Sequence, residues 1–532
     1  MPVLATRLDR RAETYQANRA FLLDRLAELD EQLALARGGG GPRMVERHRA
    51  RGKLLPRERI ELLVDRDAHF LELSPLAAWG TEYPVGASVV TGVGVVSGVE
   101  CVVAAHDPTV RGGAINPYGL QKLLRALEIV RRNRLPFVNL VESGGADLPR
   151  QAEIFLPGGA LFRDLTRLSA AGIPTVALVF GNSTAGGAYV PGMCDYTIMV
   201  RGQAKVFLGG PPLVKMATGE DAEEEALGGA EMHSRTSGLS DFLAVDERDA
   251  ARLGRAVLAR LGWRKLGPGP SEPADAPVHD PEDLLGLAPA DLRTTVEVRE
   301  VLARFLDGSR FEEFKPLYGP NLVTGWGSIH GFPVGVLAND TGVLYLEEAQ
   351  KAAQFIQLAN RSDLPLLFVQ NTTGYIVGTA FEQRGMVKDG SKMINVVANS
   401  GVPHITLTIG GSYGAGNYGM GGRAFDPRFV FSWPNAKTAV MGPAQLAGVL
   451  SIVSRAAAEA AGRPFDEDAD AAMRAAVEDQ IEQESLAPFV SGRLFDDGII
   501  DPRDTRTVLG IALSAVHSDT VAGAERFGVF RM

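Results

Sequence analysis

The chain is poor in the residues that usually announce a chemistry. Among its 532 residues only Cys101 and Cys194 are cysteines, which excludes a four-cysteine zinc ribbon or a disulfide framework and fits a reducing cytoplasm. Histidine occurs eight times and never as H-E-x-x-H. There is no G-x-x-x-x-G-K-[ST] phosphate loop, and no G-x-G-x-x-G opens a helix with an acid at the right distance. No apolar run approaches the eighteen residues of a membrane span, and the first residues alternate in charge, so neither a membrane anchor nor a transit peptide is expected. With 54 basic against 64 acidic residues the net charge is −10, which argues against nucleic acid as a partner. No metal site is expected.

Glycine is plentiful, with 61 residues, while aromatics make up only 7%. That balance suits an α/β enzyme with many tight strand-to-helix turns. A chain of this length is long enough for two or three domains, and an internal repeat reduces the number to two. Gln121, Lys122, Arg132, Pro136, Gly145, Pro174, Gly181, Ser183, Gly187 and Tyr189 recur 229 residues later as Gln350, Lys351, Arg361, Pro365, Gly374, Pro403, Gly410, Ser412, Gly416 and Tyr418. Upstream, Thr91, Gly92, Gly94, Gly98 and Asp107 recur 233 residues later as Thr324, Gly325, Gly327, Gly331 and Asp340. The two registers differ by four, which implies one small loop insertion. A unit this long is a duplicated domain and not a solenoid repeat.

The expected organisation is an N-terminal helical arm over 1–41, a first domain over 42–266, a proline-rich linker over 267–280 and a second domain over 281–532. The arm reads as one helix over 7–37 with Leu22, Leu26, Leu29 and Leu33 on a stripe, a packing arm or oligomer contact. A cationic cluster over 47–53 precedes a helix opening at Pro56, and its Arg51 and Lys53 are candidate phosphate contacts. In each copy an apolar strand runs into a glycine turn and then a helix, twice over. The turns are Ser143, Gly144, Gly145, Ala146 and Ala185, Gly186, Gly187, Ala188 in the first copy, and Thr372, Thr373, Gly374, Tyr375 and Gly414, Ala415, Gly416, Asn417 in the second.

Such a turn aims backbone N–H groups into the crevice at the strand's carboxyl end with a helix dipole behind them. Glycine permits a ligand to come close, and two neighbouring turns can direct two N–H groups at one oxygen, forming an oxyanion hole. Acid–base side chains are scarce nearby. His106, His233 and His404 read as packing residues, and Glu142 reads as structural because its counterpart Asn371 cannot take a proton. A site with many donors and no base expects a reactant that brings its own.

Glu142 to Ala146, the stretch Thr184 to Pro191, Phe207 to Lys215 and Gly410 to Met420 together resemble the carboxyltransferase (β) subunit of biotin-dependent acyl-CoA carboxylases. Asp496 to Pro502 and the closing Phe527 to Met532 look most like the methylcrotonyl-CoA carboxylase branch, although Arg111 stands where that branch tends to carry lysine. The resemblance implies two crotonase-like β-β-α superhelix domains, with CoA on the N-terminal and biotin on the C-terminal one. It implies that carboxybiotin releases CO₂, that the biotin ureido nitrogen takes a proton from the acyl-CoA, and that the enolate attacks the CO₂. Gly144, Gly145, Gly186 and Gly187 then become the donors of one hole, and Gly374, Ala415 and Gly416 those of the other. Thr373, Tyr375, Gly414, Asn417 and Tyr418 become biotin contacts. Ser143, Ala146, Ala185, Ala188 and Arg111, with Arg51 and Lys53, become acyl-CoA contacts, as does the 310–339 segment. No biotin-attachment A-M-K-M occurs, so the resemblance implies a partner α subunit with biotin carboxylase and carrier domains, in an α6β6-type complex around a homohexamer whose active sites cross a dimer interface. A CoA hydratase or isomerase, a biotin-dependent decarboxylase subunit and a non-catalytic scaffold are the competing readings.

Overall fold

A computed structural model describes residues 1–532. The first sheet is built from β1 (Leu71–Leu73), β2 (Val89–Val96), β3 (Val99–His106), β4 (Phe137–Ser143), β5 (Thr175–Thr184), β6 (Tyr196–Val200), β7 (Lys205–Phe207) and β8 (Phe242–Ala244). Its order is β1-β2-β3-β4-β5-β6-β8, with β7 paired to β5. The second sheet uses β9 (Glu312–Glu313), β10 (Leu322–Ile329), β11 (Phe332–Asn339), β13 (Leu366–Thr372), β15 (His404–Tyr413), β16 (Phe429–Ser432) and β17 (Lys437–Ala439), while β12 (Val343–Leu344) and β14 (Gly374–Tyr375) form a short pair of their own. In both sheets an antiparallel hairpin leads into parallel strands, β3 to β4 to β5 in one and β11 to β13 to β15 in the other.

The repeated residues have repeated physical jobs. A Cβ on Gly92 would meet Phe70 and the Leu71 carbonyl, and one on Gly325 would meet Phe311 and the Glu312 carbonyl. Both glycines therefore let a third strand cross the hairpin closely. The parallel strands are covered on both faces and carry apolar runs such as Val176 to Phe180 and Leu366 to Val369. The helix Pro117–Asn133 begins with Asn116 accepting from the Gly119 N–H and Pro117 in the first helical position. Its counterpart is the helix Leu346–Arg361.

The four-residue insertion lies between Asp107 and Gln121, where the first copy adds the turn Arg111–Gly113. The arm is helical over Glu13–Arg37 and not from residue 7. Residues 7–12 instead lie outside any helix against the second half of the chain, the Arg7 N–H on Glu300 and the Arg10 side chain on Asp283. The helix itself packs on the Leu284–Leu287 segment, with the Asn18 amide donating to the Gly286 carbonyl. Leu22, Leu26 and Leu29 join one core with residues of both sheets, so the arm and the two halves bury a continuous apolar interior. No helix is long and apolar enough to cross a membrane.

Candidate active site

Each copy places its two glycine turns side by side through an identical irregularity. β4 and β5 pair in register up to Val141 with Val179, then shift so that Ser143 pairs with Ser183. β13 and β15 do the same between Gln370 with Thr408 and Thr372 with Ser412. This bulge re-aims both strand ends at the carboxyl edge of the sheet. An ideal Cβ on Gly187 would stand 3.8 Å from Ser183 Oγ and 4.0 Å from the Gly145 Cα, so the two turns face each other across a narrow gap. In the second copy the gap is tighter, since a Cβ on Gly416 would stand 2.7 Å from Thr372 Oγ1 and 2.9 Å from the Gly374 Cα.

The strand-end hydroxyl organises the first turn of each copy. Ser143 Oγ accepts the Gly145 N–H at 3.1 Å, and Thr372 Oγ1 accepts the Gly374 N–H at 3.2 Å. The next loop takes a second donor: the Gly144 N–H reaches the Gly112 carbonyl at 3.0 Å, and the Thr373 N–H reaches the Gly342 carbonyl at 2.6 Å. The N–H groups of Gly144 and Gly145 are thus engaged inside the fold, and the insertion supplies one of their acceptors. Ala185 begins the other turn at φ 54°, a left-handed conformation that its counterpart Gly414 adopts at φ 53° without a Cβ. Gly186 is exposed, Gly187 half-buried and Ala188 buried; in the second copy Ala415 is exposed and Gly416 buried.

Glu142 is held by cations. Lys53 Nζ lies 2.5 Å from its Oε1, and Arg59 Nη2 lies 2.8 Å from its Oε2 while also pairing with Glu247 at 2.8 Å. Burial pushes the Glu142 carboxyl up, but Arg59 and Lys53 outweigh it and hold it below its ordinary value. It fills the bulge, for a Cβ on Gly181 would run into its carboxylate; Asn371 occupies the same place beneath Gly410 and accepts the Gly411 N–H at 3.0 Å. Lys53, expected among the phosphate contacts, therefore has its ammonium on Glu142 and on the Phe180 carbonyl at 3.0 Å. Arg51 is exposed, and Arg111 is exposed with one N–H on Asp147 at 3.0 Å.

The second copy opens into a cavity of about 560 Å³ bordered by Gly414, Ala415, Asn417, Tyr418, Val440 and Asp496. Asn417 Nδ2 donates to Ser412 Oγ at 2.7 Å, Ser412 donates to Gln370 Oε1 at 2.5 Å, and Gln370 Nε2 donates to the Met420 carbonyl at 2.6 Å. This chain fixes the Asn417 side chain at the cavity wall, and of its members only Gln370 lay outside the motif residues. Thr373 is exposed and donates to the Gly342 carbonyl at 3.0 Å. Tyr375 turns its hydroxyl under the helix Gly414–Gly419 toward Gly419, away from the cavity, and burial pushes that phenol far up. Asp496, read in the sequence only as part of a family motif and not as a site residue, is buried without a hydrogen-bond partner, and burial pushes its carboxyl up to about 6. In the first copy the space behind Ser143, Ser183 and Gly187 is a small, mostly apolar void of about 20 Å³. His106 lies in it, its ring on the Leu140 carbonyl at 3.3 Å, and burial pushes it down to about 4. It is a neutral packing residue there.

The carboxyl transferase domain matches residues 47–530 of the chain. The chain is 64% identical over 530 residues to a probable biotin-dependent acyl-coenzyme A carboxylase beta2 subunit of Mycobacterium tuberculosis, with 100% of both chains covered. It is 48% identical to that organism's biotin-dependent 3-methylcrotonyl-coenzyme A carboxylase beta1 subunit, over 95% of this chain and 96% of the relative. Among solved structures it matches the beta subunit of geranyl-CoA carboxylase from P. aeruginosa, 42% identical, with a TM-score of 0.89 and 100% of both chains covered. The fold is accordingly the crotonase-like one, present twice.

Proposed function

The chain belongs to the carboxyl transferase family and is the carboxyltransferase (beta) subunit of a biotin-dependent acyl-CoA carboxylase; from that premise we propose that it carboxylates an acyl-CoA of the 3-methylcrotonyl type. The observation that carries the mechanism is the pair of facing glycine turns, present at matched positions in both copies, with Glu142 tied up by cations beside the first. Carboxybiotin, brought by a separate α subunit, supplies the CO₂ and the nitrogen base. The chain itself holds charge. Gly186 and Gly187 aim their N–H groups at the thioester oxygen, and Ala415 and Gly416 aim theirs at the ureido oxygen of biotin. Gly144, Gly145, Thr373 and Gly374 brace these donors from the opposite turn.

The 560 Å³ cavity suits the bicyclic biotin ring, with Asn417 as a polar anchor and Val440 as an apolar wall. Arg51 and Arg111 are exposed cations near the first copy for a CoA phosphate. The acyl assignment rests on kinship: geranyl and 3-methylcrotonyl thioesters share a 3-methyl-2-enoyl unit, and both named relatives match along nearly the whole chain.

Apolar side chains flank both sites. Leu148, Phe155 and Leu156 after the first turn are 74%, 84% and 81% exposed, and Val440 and Ile452 beside the second cavity are 85% and 70% exposed. Patches of this kind are interaction surfaces. A second copy covers them, so that each site is completed across a dimer and three dimers form the hexamer, in the cytoplasm.

Purified alone, the chain should bind no avidin and carboxylate nothing with ATP and bicarbonate. Adding the biotinylated α subunit should give activity, fastest with 3-methylcrotonyl-CoA among short acyl-CoAs. Carboxylation by the isolated chain would remove the separate carrier, and a preference for propionyl-CoA would overturn the acyl assignment while leaving the transferase intact.

A further inference from the structure

The glycine turns lie at the carboxyl ends of β13 and β15, and the opposite end of the second sheet carries a different cluster. There a polar cavity of about 250 Å³ is bordered by Arg132, Ser400, His404, Asp426 and Arg428. Arg132 comes from the last turn of the helix Pro117–Asn133 in the first half, and the others from the first residue of β15 and the loops that lead into β15 and β16 in the second. β15 is ten residues long, so at about 3.3 Å per residue this cavity is roughly 30 Å from the turns.

Its cations are unusually short of partners. A guanidinium carries five N–H donors. Arg428 has no carboxylate within 4 Å, and its one hydrogen bond is to Asn133 Oδ1 at 3.2 Å. Arg132 reaches Glu128 at 3.6 Å and Asp426 at 3.7 Å, and Asp426 is itself 75% exposed, so both pairs are loose. His404 is 5% exposed, and its Nε2 is buried with no hydrogen-bond partner. Phe368 holds the ring edge-on at 5.2 Å between centroids, so it is fixed in place. Burial and the neighbouring Arg132 push the Arg428 guanidinium down to about 10, and burial with both arginines pushes His404 down to about 3. Asp519 opposes only part of the Arg428 shift, so like charges are gathered here without a close counter-charge. The carboxyl ends of two helices, Pro117–Asn133 and Met386–Asn399, also point here and offset part of the field. Neither gives Arg428 a carbonyl hydrogen bond.

We propose that this cavity is a binding site for a small dianionic oxyanion, inorganic phosphate or the phosphate of a monoester. Arg428 and Arg132 face it from two sides, neutral His404 and the Ser400 hydroxyl offer further polar contacts, and Asp426 stands at the mouth. Because Arg132 belongs to the first half and Arg428 to the second, an anion here also ties the two halves together.

The test uses the assembled protein as purified. Inorganic phosphate and, separately, glycerol phosphate are titrated by calorimetry at constant ionic strength set with chloride, and thermal unfolding is followed in parallel. Saturable binding at one site per chain is expected, with a rise in Tm. Arg428→Gln should weaken it about tenfold or more, the loss typical of a charge-assisted hydrogen bond, and Arg132→Gln, at a more open position, should weaken it in the same direction. Arg463→Gln, an exposed arginine elsewhere, should bind like the parent. Tighter binding of glycerol phosphate assigns the site to a monoester, and tighter binding of inorganic phosphate assigns it to the free ion. Absence of saturable binding at millimolar concentrations, unchanged binding in both Arg428→Gln and Arg132→Gln, or an experimental structure with a neighbouring subunit's carboxylate between the two arginines would each overturn the proposal.

Discussion

Glu142 is the carboxylate that directly precedes a glycine turn in the chain, and its neighbours decide what it can do. With Lys53 and Arg59 on its two oxygens it is a fixed anion filling a bulge. Glu142→Gln removes a charge that two buried cations require, and breaking such a pair costs about 3–5 kcal/mol. The variant should therefore unfold at lower temperature while the folded protein keeps carboxyl transfer within about tenfold of the parent. A general base would behave oppositely, losing roughly a hundredfold to ten-thousandfold in rate. Transfer rates normalised to folded protein, with enoyl-CoA hydration measured beside them, separate the two. Hydration that collapses in this variant would restore the hydratase reading.

At the level of the turns, the two copies share a design but not a tolerance. The methyl of Gly187→Ala has room at 3.8 Å and beyond, yet it stands in the gap where a reacting oxygen must sit. Normal thermal stability with transfer reduced about a hundredfold to a thousandfold is expected, the usual effect of disabling an oxyanion donor. The methyl of Gly416→Ala meets Thr372 Oγ1 at 2.7 Å and the Gly374 Cα at 2.9 Å. That is overpacking against backbone, so this variant should also lose about 1–3 kcal/mol of stability. Calorimetry and transfer assays on both variants check the asymmetry, and full activity in Gly187→Ala would remove the first hole from the mechanism.

Across the whole molecule, the halves are joined by a buried ion pair at the seam. Arg125, on a first-half helix, makes two 2.8 Å hydrogen bonds to Asp497, near the end of the second half, which also receives Arg423 at 3.1 Å and the Val430 N–H at 2.9 Å. Burial raises the Asp497 carboxyl, but Arg125 and Arg423 outweigh it and bring it to about 2. A depressed carboxyl stabilises the fold above the ordinary aspartate value near ~3.9, and the contribution is lost as pH falls toward about 2. Asp497→Asn should therefore cost about 3–5 kcal/mol at pH 7, and its deficit against the parent should shrink in acid. Urea midpoints at neutral pH and near pH ~3 measure it. A deficit that is equal at both would deny the pair its role in joining the halves.

Much of this protein could be read from the order of its residues. The duplication, the strand-turn-helix units and the four glycine turns were all legible, because turn chemistry is local and a repeat preserves it in register. The family was legible for the same reason, since its motifs are those turns with their immediate neighbours. What lay beyond local reading was decided by contacts between distant segments. Lys53 looked like an open phosphate contact until folding set it against Glu142, 89 positions away. The start of the arm looked helical until Glu300 and Asp283 offered its backbone and side chains partners in the other half. Gly144 and Gly145 looked like free donors until the loop after β3 and the Ser143 hydroxyl took up their N–H groups. In each case composition and spacing specified a group able to bond, and only the tertiary structure chose its partner, because a buried charge or N–H group must be satisfied by whatever the fold brings within reach.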